Sequence, residues 1–174
     1  MSSAASGNVI AANNASRRIF RVDTTGTVYA LGSFSPGGAD YAESVSVRGK
    51  RDEYQPGDVL VIDPDSDRRF AVSTEPYSPR VAGVFSTRPG IVGSQHPLEN
   101  NPEEVPLAMV GIVPCRVSAE NGPIRRGDLL VTSSIPGHVM RGTDRARMTG
   151  AIVGKALQNF DSGTGVIEIL VSLQ

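Results

Sequence analysis

The chain repeats itself once, at a spacing of 70 residues. Val47–Asp63 (VRGKRDEYQPGDVLVID) lies over Val117–Ser133 (VSAENGPIRRGDLLVTS). Val47 falls on Val117, Tyr54 on Ile124, Gly57-Asp58 on Gly127-Asp128, and Val59-Leu60-Val61 on Leu129-Leu130-Val131. Further on, Val81-Ala82-Gly83-Val84 answers Ile152-Val153-Gly154-Lys155, one residue out of step. A chain built this way must fold as two related halves. Extended backwards, the same offset sets Asp40 against Val110 and Glu43 against Val113. The first copy therefore carries two carboxylates where the second carries Met109-Val110-Gly111-Ile112-Val113. Burying an unpaired carboxylate is costly, so this difference needs a reason.

The kind of half follows from composition. Nineteen Gly and twelve Pro stand between short β-branched runs in 174 residues, and no helical period lasts three turns. Aromatic residues make up 5% and Trp is absent, so the core rests on Val, Ile, Leu and Ala. The expectation is an all-β protein, a compact barrel or clip-like sheet pair built from two related halves and preceded by an N-terminal β-hairpin. A net charge of −1 gives no strong attraction to nucleic acid or to anionic membranes. No window approaches the roughly 18 apolar residues of a membrane span, and the start lacks a signal peptide's basic-then-apolar order. These features predict synthesis in the cytoplasm.

In chain order, residues 1–18 are small and polar and read as a loose end with at most one short strand around Val9-Ile10. Residues 19–38 hold two apolar runs about Thr24-Thr25-Gly26, a hairpin, then a flexible joint, SFSPGG. A lone hairpin is marginal in water and needs neighbours. The duplicated β domain is expected over 39–174, with copies at about 39–98 and 106–174. Strands are expected at Ser44–Val47, Val59–Ile62, Phe70–Val72 and Val81–Ser86, and Arg88–Glu104 reads as an exposed loop. The second copy should supply Leu107–Val113, Cys115–Val117, Leu129–Thr132, Ala151–Ala156 and Val166–Leu173.

Asp40 and Glu43 are the first candidates for chemistry. Three residues apart, they face opposite sides of a strand but converge in a turn or helical kink. Two neighbouring carboxylates can divide the work, one held protonated as an acid and one ionised as a base. The plain alternative is a solvated turn with Asp40 as its cap. Asp40-Tyr41-Ala42-Glu43 follows a Gly-rich joint and precedes a Gly-Asp-hydrophobic β domain. In this it resembles the C-terminal autoproteolytic domain of phage pre-neck-appendage and tail-spike proteins. Residues 82–90 and 110–114, including an arginine-containing turn at Arg88, resemble that family's strands as well.

The resemblance covers about residues 38–174. It implies an intramolecular chaperone for trimer assembly that cuts its own chain before the motif's Asp. Carried over, the scissile bond is Ala39–Asp40 and the catalytic pair is Asp40 and Glu43, with Glu43 activating water and Asp40 assisting the carbonyl or leaving nitrogen. The family usually has Ser before that Asp, whereas this chain has Ala39.

The other candidates are weaker. Cys115 and His138 form a possible thiol–imidazole pair, but a buried structural thiol and a turn imidazole are the ordinary expectation. Cys115, His96 and His138 are single and widely spaced, unlike metal knuckles, and no metal site or cofactor is expected. Asp63-Pro64-Asp65-Ser66-Asp67 alternates carboxylates without the Gly and Glu of a calcium loop, which favours a solvated hairpin tip. Arg141, Arg145 and Arg147 make a small basic loop suited to an acidic partner, without aromatics for base stacking.

The leading expectation is a structural module that caps or trimerises a phage-like fibre or spike. Its partners would be its own copies and a stalk, fibre or baseplate protein, and its final site a virion or extracellular assembly. Self-cleavage at Ala39–Asp40 is one alternative. The other is a glycan- or receptor-binding tip using loops 63–68, 88–104 and 133–148.

Overall fold

The structure is a computed structural model that describes residues 7–94 and 101–172. The chain divides into two compact units, Met1–Pro36 and Gly37–Gln174. In the first, β1 (Asn8–Asn13), β2 (Arg18–Asp23) and β3 (Val28–Ala30) form an antiparallel sheet in the order β1-β2-β3. The expected hairpin is β2–β3, and the short strand around Val9-Ile10 extends it. Asp23 organises the connecting turn, accepting from Thr25 N at 2.9 Å and Thr27 N at 3.1 Å. The Arg21 guanidinium lies 3.3 Å from the Tyr29 ring centroid. No described residue of this sheet is buried, and Val9 and Ile10 are exposed.

The second unit is the duplicated β structure. Its strands are β4 (Asp40–Ser46), β5 (Val59–Ile62), β6 (Phe70–Val72), β7 (Val81–Phe85), β8 (Ile91–Gly93) and β9 (Glu104–Ser118). They are followed by β10 (Leu129–Thr132), β11 (Val139–Arg141), β12 (Ile152–Ala156) and β13 (Thr164–Ser172). In the second half, β11-β10-β12-β13-β9 runs as a sheet, and Val139 pairing parallel to Val117 closes it into a five-stranded barrel. The first half is laid out alike as β6-β5-β7-β9-β4, with an isolated parallel bridge between Phe70 and Val47. The 15-residue β9 serves both halves. Its N-terminal part is the last strand of the first ring, and its C-terminal part is the first strand of the second.

The halves share hydrogen bonds as well as strand order. Gly57 N donates to Phe85 O, and Gly127 N to Ala156 O, each at 2.8 Å. The Asp58 carboxylate accepts from Gln55 N and the Asp128 carboxylate from Arg125 N, again each at 2.8 Å. Both turns need a left-handed residue, and Gly57 (φ 93°) and Gly127 (φ 87°) supply it. The register shift after Leu60 opposite Gly83 recurs after Leu130 opposite Gly154. The one-residue slip between the VAGV and IVGK segments in sequence is therefore a real feature of the pairing.

Several strand limits differ from the sequence-based expectation. β4 begins at Asp40 instead of Ser44, so the acidic pair lies on a strand. Leu107–Val113 and Cys115–Val117 are one strand, because the extended φ of a strand suits Pro106 and Pro114, which sit opposite Ser44 and Glu168 without breaking the pairing. The loop expected at 88–104 contains β8, parallel to β4, and His96 lies outside the described residues. β11 has only three residues behind a Pro-Gly turn, too few to show a period. The core is aliphatic, with Val113, Cys115, Val117, Leu130, Val139, Val153, Ile169 and Val171 closing the second barrel. A second cluster, Val47, Tyr54, Leu60, Phe85, Val105 and Leu107, lines the first.

Candidate functional site around Asp40 and Glu43

β4 alternates over its first four residues: Asp40 and Ala42 are buried, Tyr41 and Glu43 exposed. A strand rises about 3.3–3.4 Å per residue, which sets Asp40 and Glu43 on the order of 10 Å apart along the backbone, on opposite faces. Of the two geometries open to a three-residue spacing, the chain adopts the extended one. Within one chain the two carboxylates do not converge.

Asp40 sits in a tight backbone cradle. It lies opposite Gly111 of β9, and Gly90 N donates to its carbonyl at 2.9 Å. A Cβ on Gly111 (φ +124°) would stand 2.6 Å from Asp40 Cα and 2.7 Å from Ala39 O. On the other side, a Cβ on Gly38 would stand 2.3 Å from Arg88 O. The glycine joint and the Arg88-Pro89-Gly90 turn thus grip the peptide before Asp40 from both sides. At Gly37 the neighbour is the Arg88 guanidinium, 2.7 Å from where a Cβ would be.

The Asp40 side chain is 7% exposed, and its Oδ2 has no hydrogen-bond partner. Desolvation raises its pKa above the ordinary carboxylate value, while the nearby Ser86 hydroxyl and Asp40's own N–H offset part of the effect. Ser86 Oγ is itself buried and falls outside hydrogen-bonding geometry. The result is a carboxyl that holds its proton more tightly than an ordinary one, next to a main-chain bond. It is equipped to donate a proton to a carbonyl oxygen or a leaving nitrogen. Glu43 is exposed and has no hydrogen-bond or ion-pair partner among the described residues.

The remaining candidates are committed elsewhere. Cys115 is fully buried in the aliphatic core, desolvation pushes its thiol well above the ordinary value, and its Sγ faces Arg116 O at 3.5 Å. That environment suppresses the thiolate a nucleophile needs. His138, a turn imidazole just before β11, is buried and binds backbone, with Nδ1 2.7 Å from Pro136 O. At the acidic tip, Arg48 reaches both Asp63 and Asp65, the latter at 2.6 Å. The hydrogen bond from Arg48 is the main cause lowering the Asp63 pKa. Arg147 lies over the Tyr77 ring at 4.6 Å and donates to Pro76 O at 2.7 Å. Arg141 donates to Asn121 O at 3.3 Å, and Arg145 has no partner among the described residues.

Two features escaped the sequence reading. Ser86, just after β7, and Gly111 on β9 complete the Asp40 cradle, distant in sequence and visible only in the fold. A groove of about 920 Å³ runs beside Glu43 between β4 and the β5–β6 hairpin, with Ile62, Arg68, Phe70 and Met109 among its walls. The one sequence signal for it was the replacement of an apolar Val113 by Glu43 between the copies.

No family model matches the chain, and no curated protein matches it. Among solved structures, the pre-mature bacteriophage phi29 gene product 12 matches with a TM-score of 0.68 at 12% sequence identity. The match covers 89% of this chain and 24% of that one, so the chain spans about a quarter of the phage protein's length. At that identity the likeness establishes one thing: this chain shares an all-β fold with part of a phage protein.

Proposed function

We propose that the chain is a structural module that caps or trimerises a phage-like fibre or spike. The observation that carries this is an apolar face on the sheet formed by β4, β9 and β13. Tyr41 pairs with Val110 and Ile112 with Leu170, and the four are 46, 54, 42 and 38% exposed. Adjacent exposed apolar residues that form a contiguous patch mark an interaction surface. The coreless N-terminal sheet has the same need for neighbours. Copies of the chain arranged about an axis would cover both, and the motif's resemblance supplies the number three. The likeness to a phage protein supports the setting.

A second reading rests on the buried Asp40 carboxyl, one oxygen of which has no partner, beside the Ala39–Asp40 bond: the module cuts itself once, with Asp40 assisting the carbonyl or leaving nitrogen and the Glu43 that activates water supplied by a neighbouring copy, because within one chain the two lie on opposite faces. The phage neighbour is a pre-mature form, and self-cutting is one route from such a form to a mature one. One pair of measurements on the purified chain tests both readings. Light scattering should give a trimer that Val110→Glu with Ile112→Glu reduces to a monomer; a monomer in the unaltered chain at every concentration rejects assembly. Denatured intact mass over days should show two pieces divided between Ala39 and Asp40, lost in Glu43→Ala. A single full-length mass throughout rejects the cutting and leaves a permanent cap.

A further inference from the structure

The repeat makes the two barrels comparable position by position, and they differ at one end. The groove residues Glu43, Val45, Ile62, Phe70, Ala82 and Leu107 correspond in strand register to Val113, Cys115, Thr132, Val139, Val153 and Ile169, and Met109, an unpaired bulge residue without a counterpart, completes the first set. Every one of the second set is fully buried inside the closed barrel. In the first set, Glu43, Ile62 and Met109 are exposed and Val45, Phe70 and Ala82 are half-buried. β4 and the β5–β6 hairpin meet at the Val47–Phe70 bridge and part above it. A bulge at Met109 of β9, where Tyr41 pairs with Val110 and Ala42 with Ala108, has no counterpart in the second barrel and widens the mouth. The groove is thus the interior of a barrel that its twin packs dry.

From this geometry we propose that the opened mouth of the first barrel binds a small amphiphilic cation, an ammonium or guanidinium group carried on an apolar body. Its volume falls within the range of small-ligand pockets. Ile62, Phe70, Leu107 and Met109 offer an apolar wall, and Tyr41 an aromatic face at the rim. Charge complementarity selects the sign. Glu43 presents an unpartnered carboxylate among the described residues, and Glu104 adds a second, held at 2.6 Å by the Ser44 hydroxyl. Arg68 supplies the single opposing charge among the described lining residues. A ligand that buries its body against Phe70 and sets its cation beside Glu43 satisfies both parts of the wall. The site shares Glu43 with the cutting reading and Tyr41 with the assembly face, but its test reads ligand binding and neither chain length nor oligomeric state.

Ligand-observed saturation-transfer NMR on the intact chain tests it, with phenethylammonium as the probe. Phenethylammonium should receive saturation at millimolar concentration, and 3-phenylpropionate should not. Glu43→Gln, at an exposed position, should weaken the probe about three- to fivefold, the scale of one partly solvated ion pair. Ala82→Leu, which fills the floor, should abolish transfer. Arg68→Gln should leave or strengthen it. Absence of transfer to phenethylammonium overturns the proposal, as does equal transfer to the anion or an unchanged response in Glu43→Gln.

Discussion

At Asp40 the protein keeps a carboxyl where its own repeat has Val110, and the physical consequence is a pH dependence of known sign. Desolvation, only partly offset by Ser86, raises the folded pKa above the ordinary 3.8. The folded chain then holds that proton more tightly than the unfolded chain. Its contribution to stability is complete below 3.8 and is lost as pH rises through the folded value. Asp40→Asn stays neutral throughout. The variant should therefore melt higher than the unaltered protein at neutral pH, and the two should converge in acid below 3.8. Differential scanning fluorimetry across pH reads this directly. A variant that melts lower at neutral pH would mean that the ionised carboxylate has a partner in the fold. Val110 is exposed while Asp40 is buried, so the substitution went with a change of surroundings: the Arg88-Pro89-Gly90 turn covers the first position and nothing described covers the second.

At the scale of strands, glycine sets how closely the ladders approach. A Cβ on Gly154 would stand 2.1 Å from Leu170 O, and one on its counterpart Gly83 (φ +151°) 2.3 Å from Ala108 O. Gly154→Ala should push β12 away from β13 and cost about 1–3 kcal/mol, as overpacking of a dense interior does, measured by urea unfolding. No loss would show that β13 shifts freely. The sequence revealed these positions through the VAGV and IVGK segments, which located β7 and β12, as the apolar runs after Gly57-Asp58 and Gly127-Asp128 located β5 and β10. It revealed less where context outside the segment decides. β4 starts at Asp40 because Gly111, 71 positions on, leaves room for it. β11 exists because Val139 meets Val117 across the seam. The acidic pair was legible as a pair but its geometry was not, since a three-residue spacing leaves the choice of face to the backbone.

At the scale of the molecule, the two barrels share β9, and neither has a complete ring without it. The ten-strand unit should unfold in one transition, with calorimetric and van't Hoff enthalpies equal. Two resolved transitions in residues 37–174 would mean that each half holds together alone. The three-stranded N-terminal sheet, with no buried residue of its own among those described, should contribute little to that enthalpy. The asymmetry between a dry second barrel and an open first one gives duplication a use, with one copy carrying the packing and the other carrying the groove and the acidic motif.

Strand β9 also fixes where the backbone comes in and goes out. Asp40 lies opposite Gly111 on one side of β9, and Ser172 lies opposite Val110 on the other. With neighbouring strands about 4.8 Å apart, the first and last paired residues of the unit are roughly 10 Å from each other. The strand ladder of the two-barrel body therefore begins and ends at one place along β9. Ladder pairing begins at Asp40 itself, so parting the backbone one bond earlier would remove no strand from the body. A released body would keep every rung of its ladder.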